Sequence, residues 1–314
     1  MRGAVSLLRR AIDGIREELG EPVTLMRTLA QHPVLNVGIR PDVESISLAD
    51  VTRWDELGVQ PGLSWPRRDR GDLQGWRVSG GQYASFRIVR PEYALLGRTE
   101  VTQEWECDLS QLHGFSSSKS RLEDFKSTDD LVERNSREMV NEVSRQRLAA
   151  NLAHREIRIL HDACSSDHFV RFAWDGRLFL VNGGGSHHLA AAKYIACRLA
   201  ERVPLRAALH THWIEPTAVS ALRREFDMFV VSDEPQAWIA FGDAMQAFRA
   251  TWLWHYLPRP RADGSRVVLL PQSEGRSRRV AEALRAGGFA DLGLHLEKLA
   301  KRKVPVERAA ARGA

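Results

Sequence analysis

Apolar residues spaced three and four apart alternate along this chain with short runs of period two, so helices and strands are interleaved. Near the start, Leu8, Ile12, Ile15 and Leu19 fall at helical spacing and predict an amphipathic helix docked on the protein's own core. To about residue 125 the pattern is then broken by turn residues and tryptophans (Gly62, Trp65-Pro66, Gly71, Gly75-Trp76, Gly80-Gly81), with strand-like runs at Tyr83 to Val89 and Thr99 to Trp105. The polar run Ser116 to Ser120 marks a loop. Ser127-Thr128-Asp129-Asp130 supplies an N-cap with acids in the first turn, where they oppose the helix dipole favourably. Leu131, Met139, Val143, Leu148 and Leu152 predict one long helix behind it, with arginines and glutamates interleaved on its solvated face.

The sharpest local pattern follows. His168 to Trp174 and Arg177 to Val181 are strand-like runs joined by Asp175-Gly176, a pair suited to a type I′ hairpin turn with positive φ at both central residues. The second run is apolar on both faces, which predicts burial. It empties into Asn182-Gly183-Gly184-Gly185-Ser186-His187-His188, followed by a helix from about Leu189 to Glu201 and a strand from Val203 to Ile214. The final third reads as a helix from Ala218 to Glu225, a buried strand from Met228 to Val231, and an aromatic core helix carrying Trp238, Phe241, Met245, Phe248 and Trp252. A strand from Arg266 to Leu270 and a helix to Ala286 complete it, with Gly287 in the place of a C-cap glycine. The expected organisation is a loop-rich, mostly β region over 1–125, a helix plus a hairpin–glycine loop–helix–strand unit over 126–215, an α/β region over 216–300, and a basic disordered tail over 301–314. The expected fold class is α+β with a mixed sheet.

Composition sharpens this picture. The 314 residues are 43% hydrophobic and 27% charged, which excludes a largely disordered chain. Of the +5 formal charge, most lies at the end, where Lys301, Arg302, Lys303, Arg308 and Arg312 face only Glu307, so the body is almost neutral. Nucleic acid as a partner is therefore expected through the tail. Arg67, Arg68 and Arg70 beside Trp65 and Trp76 suit a phosphate backbone with stacking, or, more plainly, a solvated loop anchored by two tryptophans. Cys107, Cys164 and Cys197 are too few and too scattered for a disulfide scaffold or a thiolate zinc site, which points to a reducing cytoplasm. Arg9 and Arg10 cut the only early apolar run, so the start does not read as a signal peptide. No apolar run approaches the ~18 residues of a membrane span, and no membrane partner is expected.

Three constellations carry candidate chemistry. Glycines between a buried strand and a helix let backbone N–H groups approach an anion, and the helix start adds positive partial charge, so Gly183, Gly184, Gly185 and Ser186 form a candidate phosphate cradle. The loop has neither the Gly-Lys-Ser/Thr ending of a P-loop nor the G-x-G-x-x-G spacing of a dinucleotide fold, and a tight strand-to-helix turn is the plainer alternative. Histidine is the second constellation: His187 and His188 in the loop, and His210 and His212 on one face of the next strand, where convergence would suit zinc or iron. Ser186 lacks the Gly-x-Ser-x-Gly elbow of an acyl-transfer serine, because His188 stands at the second glycine's place. Third, Arg276 and Arg278 open a helix after Ser273-Glu274-Gly275, a start where basic charge opposes the dipole and suits a bound anion.

The stretch 178–193, LFLVNGGGSHHLAAAK, resembles the box of the ParB/sulfiredoxin-like superfamily, in which a strand ends in an Asp-Gly-His-His-Arg-Leu-x-Ala-Ala-like turn into a helix. Val203-Pro204 sits where that superfamily begins its next strand. The resemblance implies a strand–turn–helix–strand unit with N- and C-terminal elaborations, and a turn that binds nucleotide phosphates. Members are nucleotide-dependent DNA-partition proteins, nucleases, small-molecule kinases or sulfinic acid reductases. Gly185, His187, Leu189, Ala191 and Lys193 take family positions, which adds Lys193 to the phosphate ligands and His187 and His188 as catalytic candidates. Gly184 replaces the family's acidic residue and His188 its arginine, removing a permanently charged bidentate phosphate donor. The expectation is a nucleotide- or phosphate-binding protein, an NTPase, nuclease or phosphotransferase, with ATP or CTP as ligand and a divalent metal as a further candidate. Two alternatives stand beside it: a non-catalytic nucleic-acid or protein-interaction module that has lost the chemistry, and a His-based metal-dependent hydrolase.

Overall fold

The computed structural model describes residues 12–59, 71–261 and 264–302. Leu8, the basic loop with Trp65, Arg67, Arg68 and Arg70, and the tail beyond Arg302 lie outside the described residues. The fold is α+β, and the described residues fall into two compact units, each gathered from separate stretches of chain. One takes residues from within 12–41, 53–97 and 214–301; the other takes 42–52, 98–213 and Arg302.

The first unit holds an antiparallel sheet of β1 (Asp72–Ser79), β2 (Gln82–Val89), β8 (Phe226–Ser232), β9 (Trp252–Tyr256) and β10 (Ser265–Pro271), in the order β2-β1-β9-β10-β8. Ser79 pairs with Gln82 across Gly80-Gly81, whose φ values of +58° and +81° make the two-residue turn that matches strand twist. Phe229, Val231, Val268 and Leu270 pack with Phe241, Met245 and Phe248 from the helix Pro235–Ala247 and its end. Trp252 is not on that helix, as its spacing predicted; the helix stops at Ala247, and Trp252 opens β9 while still packing edge-on against Trp238 and Phe241. Core spacing and core membership are thus separable: the tryptophan keeps its apolar neighbours from a strand. Gly287 caps the helix Gly275–Ala286 with φ −75°, and the left-handed residue is Gly288 at +72°. Ile12, Ile15 and Leu19, expected to dock on the core, are 48%, 61% and 78% exposed.

The second unit carries the mixed sheet: β3 (Gly97–Asp108), β4 (Gly114–Phe115), β5 (His168–Phe172), β6 (Leu178–Val181) and β7 (Pro204–Ile214), ordered β3-β7-β5-β6-β4. β4 runs parallel to β6, β5 antiparallel to β6, and β7 parallel to β5. The β5–β6 hairpin forms, but its last pair is Arg171 with Leu178, so the loop is longer than the two-residue turn the dipeptide suggested. Gly176 alone takes positive φ there (+85°), while the Asp175 carboxylate receives the Arg177 N–H at 3.0 Å and its guanidinium at 2.8 Å. Side-chain hydrogen bonding replaces the strained aspartate backbone that a type I′ turn would need.

The helix Ser186–Leu199 lays Leu189, Ala190, Ala191, Ala192 and Ile195 on this sheet, in one cluster with Phe115, Phe169, Leu178 and Leu180. Two helices cover it in turn. The predicted long helix is broken into Thr128–Asn135 and Arg145–Leu152, capped by Ser127 (3.0 Å from the Asp130 N–H) and Ser144 (3.2 Å from the Arg147 N–H). The Ser144 cap offers the Arg147 N–H a side-chain partner in place of a continued helix. The break holds Ser136, which is buried. Among the described residues no helix is long and apolar enough to cross a membrane.

Gly114 is where this packing tolerates least. A Cβ there would stand 2.1 Å from the Ile46 carbonyl oxygen, whereas at Gly176 it would meet nothing within 4 Å. Gly114→Ala is expected to lower the stability of this unit by about 3 kcal/mol or more, since backbone cannot yield as a side chain does. Gly176→Ala, which meets only its left-handed φ, is expected to cost about 1 kcal/mol. Urea denaturation midpoints of the two variants check the order.

Candidate functional site

Parallel strands end on the same side, and β4 and β6 therefore release their loops together. The Ser116 N–H donates to the Leu180 carbonyl (2.9 Å), which carries the pairing one residue past β4. Asn182 then ties the two loops: its N–H donates to Ser116 Oγ (3.1 Å), and its amide Nδ2 donates to the carbonyls of Ser117 (3.3 Å) and Gly184 (2.9 Å). The serine loop 116–120 and the glycine loop 183–185 are held face to face by these bonds. The sequence marked the first only as a loop.

Gly185 is required by close approach, while Gly183 lies against the movable end of a side chain. A Cβ on Gly183 would lie 2.9 Å from Arg158 Nη1. On Gly185, which has φ +74°, it would lie 2.9 Å from both the Glu156 carbonyl oxygen and Ile157 Cγ1. Gly185 is the N-cap of the helix Ser186–Leu199, and no side chain caps it. The first turn of a helix has N–H groups without intrahelical acceptors, and the residues of this turn line a pocket of about 540 Å³. The serine loop, the three glycines, Ser136, His154, His187 and His188 contribute to its lining. Lys119 and Arg158 supply positive charge and Glu138 and Glu156 negative charge, with Lys119 Nζ 3.8 Å from Glu156. These four charges balance, but the Asp167 carboxylate accepts the Gly183 N–H at 3.0 Å, so that amide is already engaged by an anionic group and the helix end supplies partial positive charge to the rest of the loop.

Both loop histidines reach fixed partners. His187 stands between two serines, with Nε2 3.1 Å from Ser120 Oγ and Nδ1 2.5 Å from Ser136 Oγ. Asn135 Nδ2 donates to Ser120 Oγ at 2.9 Å. His188 stacks on His154 with ring centroids 3.6 Å apart, and its Nδ1 lies 3.3 Å from Asn151 Oδ1. Asn151 already donates its amide hydrogens to the Met139 and Arg147 carbonyls (3.0 and 3.2 Å), so its oxygen accepts and His188 carries its proton on Nδ1. Burial depresses both imidazoles below the ordinary range. Lys119 adds to this at His187 against the pull of Glu138; at His188 the stacked His154 is the main addition, against Glu156. Both rings are neutral near pH 7, able to accept a proton or to pass one on.

Gly183, Gly184, Gly185, Ser186, His187 and His188 thus share one pocket. The other candidates lie elsewhere. Lys193 turns into the protein and donates to the Leu112 carbonyl (2.5 Å), and burial pushes its ammonium down. Helical phase explains this: Lys193 is five residues beyond His188, about 140° further round the axis. Arg276 and Arg278 belong to the first unit. Arg276 donates to the Phe248 carbonyl (2.6 Å) and lies over that ring at 5.1 Å, while Arg278 is exposed. His210 and His212 do not join the loop histidines in this lining. The His210 ring lies against that of His168, centroids 4.3 Å apart and planes tilted by 31°, and His212 Nδ1 lies 3.1 Å from Thr99 Oγ1. Among the described residues no group of three or more His, Cys, Asp or Glu is placed to hold a metal ion.

Sequence reasoning missed Lys119, Ser120, Asn135, Ser136, His154 and Arg158. Their only signal was polarity in segments read as loop or solvated helix, and nothing in their spacing links them to 183–188.

A family model described as a family of unknown function, DUF6685, matches residues 102–307, a span that includes every residue of this pocket. No curated protein and no solved structure matches the chain.

The depressed imidazoles make a pH prediction. Their folded pKa values lie below the ordinary 6.5 of the unfolded chain, so the unfolded state binds more protons as pH falls. Stability is then fully present above about pH 6.5 and is lost as pH falls through 6.5 toward the folded values. Melting temperatures are expected to drop between pH 7.5 and 5.5, and by less in His187→Gln than in the wild type.

Proposed function

We propose that this chain, which belongs to the DUF6685 family, binds a phosphate-bearing small molecule of the nucleotide class at the Gly183–Gly185 loop. The observation that carries the reading is a helix start with no side-chain cap, behind a left-handed Gly185 whose backbone neighbour admits no side chain, on a pocket lined by polar groups. Its volume of about 540 Å³ is within the range of small-molecule sites. The order of β6, glycine turn, helix and β7 also supports it, since it is the strand–turn–helix–strand order of the ParB/sulfiredoxin-like box that 178–193 resembles. In this reading the first-turn N–H groups hold a phosphate, while Lys119 and Arg158 reach its outer oxygens. Those two cations take over from the arginine that His188 replaces. Ser118 to Ser120 form the facing wall. Lys193, Arg276 and Arg278 have no part in it.

A ligand at a hundred times its Kd stabilises a fold by ~2.7 kcal/mol. Millimolar ATP or CTP is therefore expected to raise the melting temperature by about 5 °C or more, and adenosine or cytidine to leave it unchanged. Arg158→Gln and Lys119→Gln are each expected to weaken the nucleotide about tenfold, the loss of one charge-assisted bond. A melting temperature indifferent to ATP, CTP and inorganic phosphate alike overturns the proposal.

A further inference from the structure

Within the same pocket three side chains from separate stretches of chain form a relay that phosphate binding does not require. Ser120 comes from the loop after β4, Ser136 from the break between two helices, and His187 from the first turn of the glycine-loop helix. Both imidazole nitrogens are engaged by hydroxyl oxygens: Nε2 with Ser120 at 3.1 Å and Nδ1 with Ser136 at 2.5 Å. The two serines differ in access. Ser136 is 1% exposed, whereas Ser120 is half-buried on the pocket wall. Asn135 Nδ2 can only donate, so it occupies a lone pair of Ser120 Oγ at 2.9 Å and leaves that hydroxyl's proton free to point at Nε2. In the tautomer that places the proton on Nδ1, donated to Ser136, His187 presents a basic nitrogen to the more accessible of its two serine partners. Nucleophile, base and base-orienting group thus follow each other within hydrogen-bond reach.

We propose that Ser120 is a catalytic nucleophile, with His187 as its general base and Ser136 and Asn135 as positioning residues, and that it attacks phosphoesters bound at the glycine loop. The substrate class rests on the anion reading of that loop; the nucleophile does not. Ser120 Oγ forms a bond to phosphorus while the bond from phosphorus to the departing ester oxygen breaks. The Ser120 proton passes to His187 Nε2 and from there to the departing oxygen, which leaves as an alcohol. Water then attacks the phosphoserine, gives its proton to Nε2, and releases phosphate as Ser120 recovers that proton. The helix-start N–H groups are placed for the phosphoryl oxygens, and no oxidant or further reactant enters. Ser186, the serine nearest in sequence, is buried at 4% exposure.

A fluorophosphonate probe reacts by the same attack, expelling fluoride, and tests the full chain directly. Mass spectrometry is expected to place the adduct on Ser120 in folded protein, with none in Ser120→Ala. His187→Gln is expected to slow labelling by about 10²–10⁴-fold. Ser136→Ala is expected to shift the pH midpoint of labelling, and Ser136→Thr, which keeps the hydroxyl, to restore it. Circular dichroism and the melting temperature of each variant show that it is folded. An unmodified Ser120 in folded wild type overturns the inference, as does equal labelling in folded His187→Gln. Inorganic phosphate separates the two readings. If phosphate raises the melting temperature of Ser120→Ala while wild-type Ser120 stays unlabelled, the nucleophile falls and the anion site stands. If Ser120 is labelled but no phosphate or nucleotide binds, the nucleophile stands and its phosphoester substrate class falls.

Discussion

The parallel pairing of β4 with β6 is the constraint on which the pocket depends. It involves few residues, Gly114 and Phe115 against Phe179 and Leu180, extended by the bond from the Ser116 N–H to Leu180. Because parallel strands finish at the same end, a serine loop 67 residues from His187 in sequence (Ser120) becomes its neighbour in space. Gly114 lets the segment at Ile46 close against the other side of β4, since any side chain would strike the Ile46 carbonyl, and Asn182 ties the two loops with two hydrogen bonds to Ser116 and Ser117 and braces its own with a third to Gly184. Antiparallel pairing of the same strands would send the serine loop to the opposite edge of the sheet.

The second determinant is the interruption between Thr128–Asn135 and Arg145–Leu152. A continuous helix through this stretch would keep position 136 on a helical face. The break instead buries Ser136 against His187 and brings Asn135 to Ser120. The helix Arg145–Leu152 then supplies Asn151, which fixes the His188 tautomer. Neither loop histidine is left to rotate freely, and burial keeps both rings uncharged. The pocket so built is lined by both signs of charge, by imidazoles that burial depresses and by the first turn of a helix whose N-cap and first residue are themselves buried.

Much of the fold was legible in the chain. The strands at 168–172, 178–181, 204–214 and 226–232 and the helix after the glycine loop follow from hydrophobic period and from where glycine and proline interrupt it. Errors arose where local signals competed. Asp175-Gly176 suited a tight hairpin turn, but the Asp175–Arg177 interaction stabilised a longer loop. Met139 and Val143 kept helical spacing across a break after which the Ser144 cap starts a new helix. Trp252 kept core spacing while changing element.

Sequence by itself determined the α+β character, the glycine-rich turn into a helix and the clustering of His187 and His188, because each is a property of neighbouring residues. Tertiary structure alone decided that two units gather discontinuous stretches, that Lys193, Arg276, Arg278, His210 and His212 lie away from the pocket, and that Ser120, Asn135 and Ser136 enter it. The reason is physical. Hydrophobic period and turn chemistry act over a few residues and leave a local imprint. Strand partnership and helix phase are settled by which long-range pairing buries the most apolar surface with its backbone groups satisfied, and no short window of sequence records that choice.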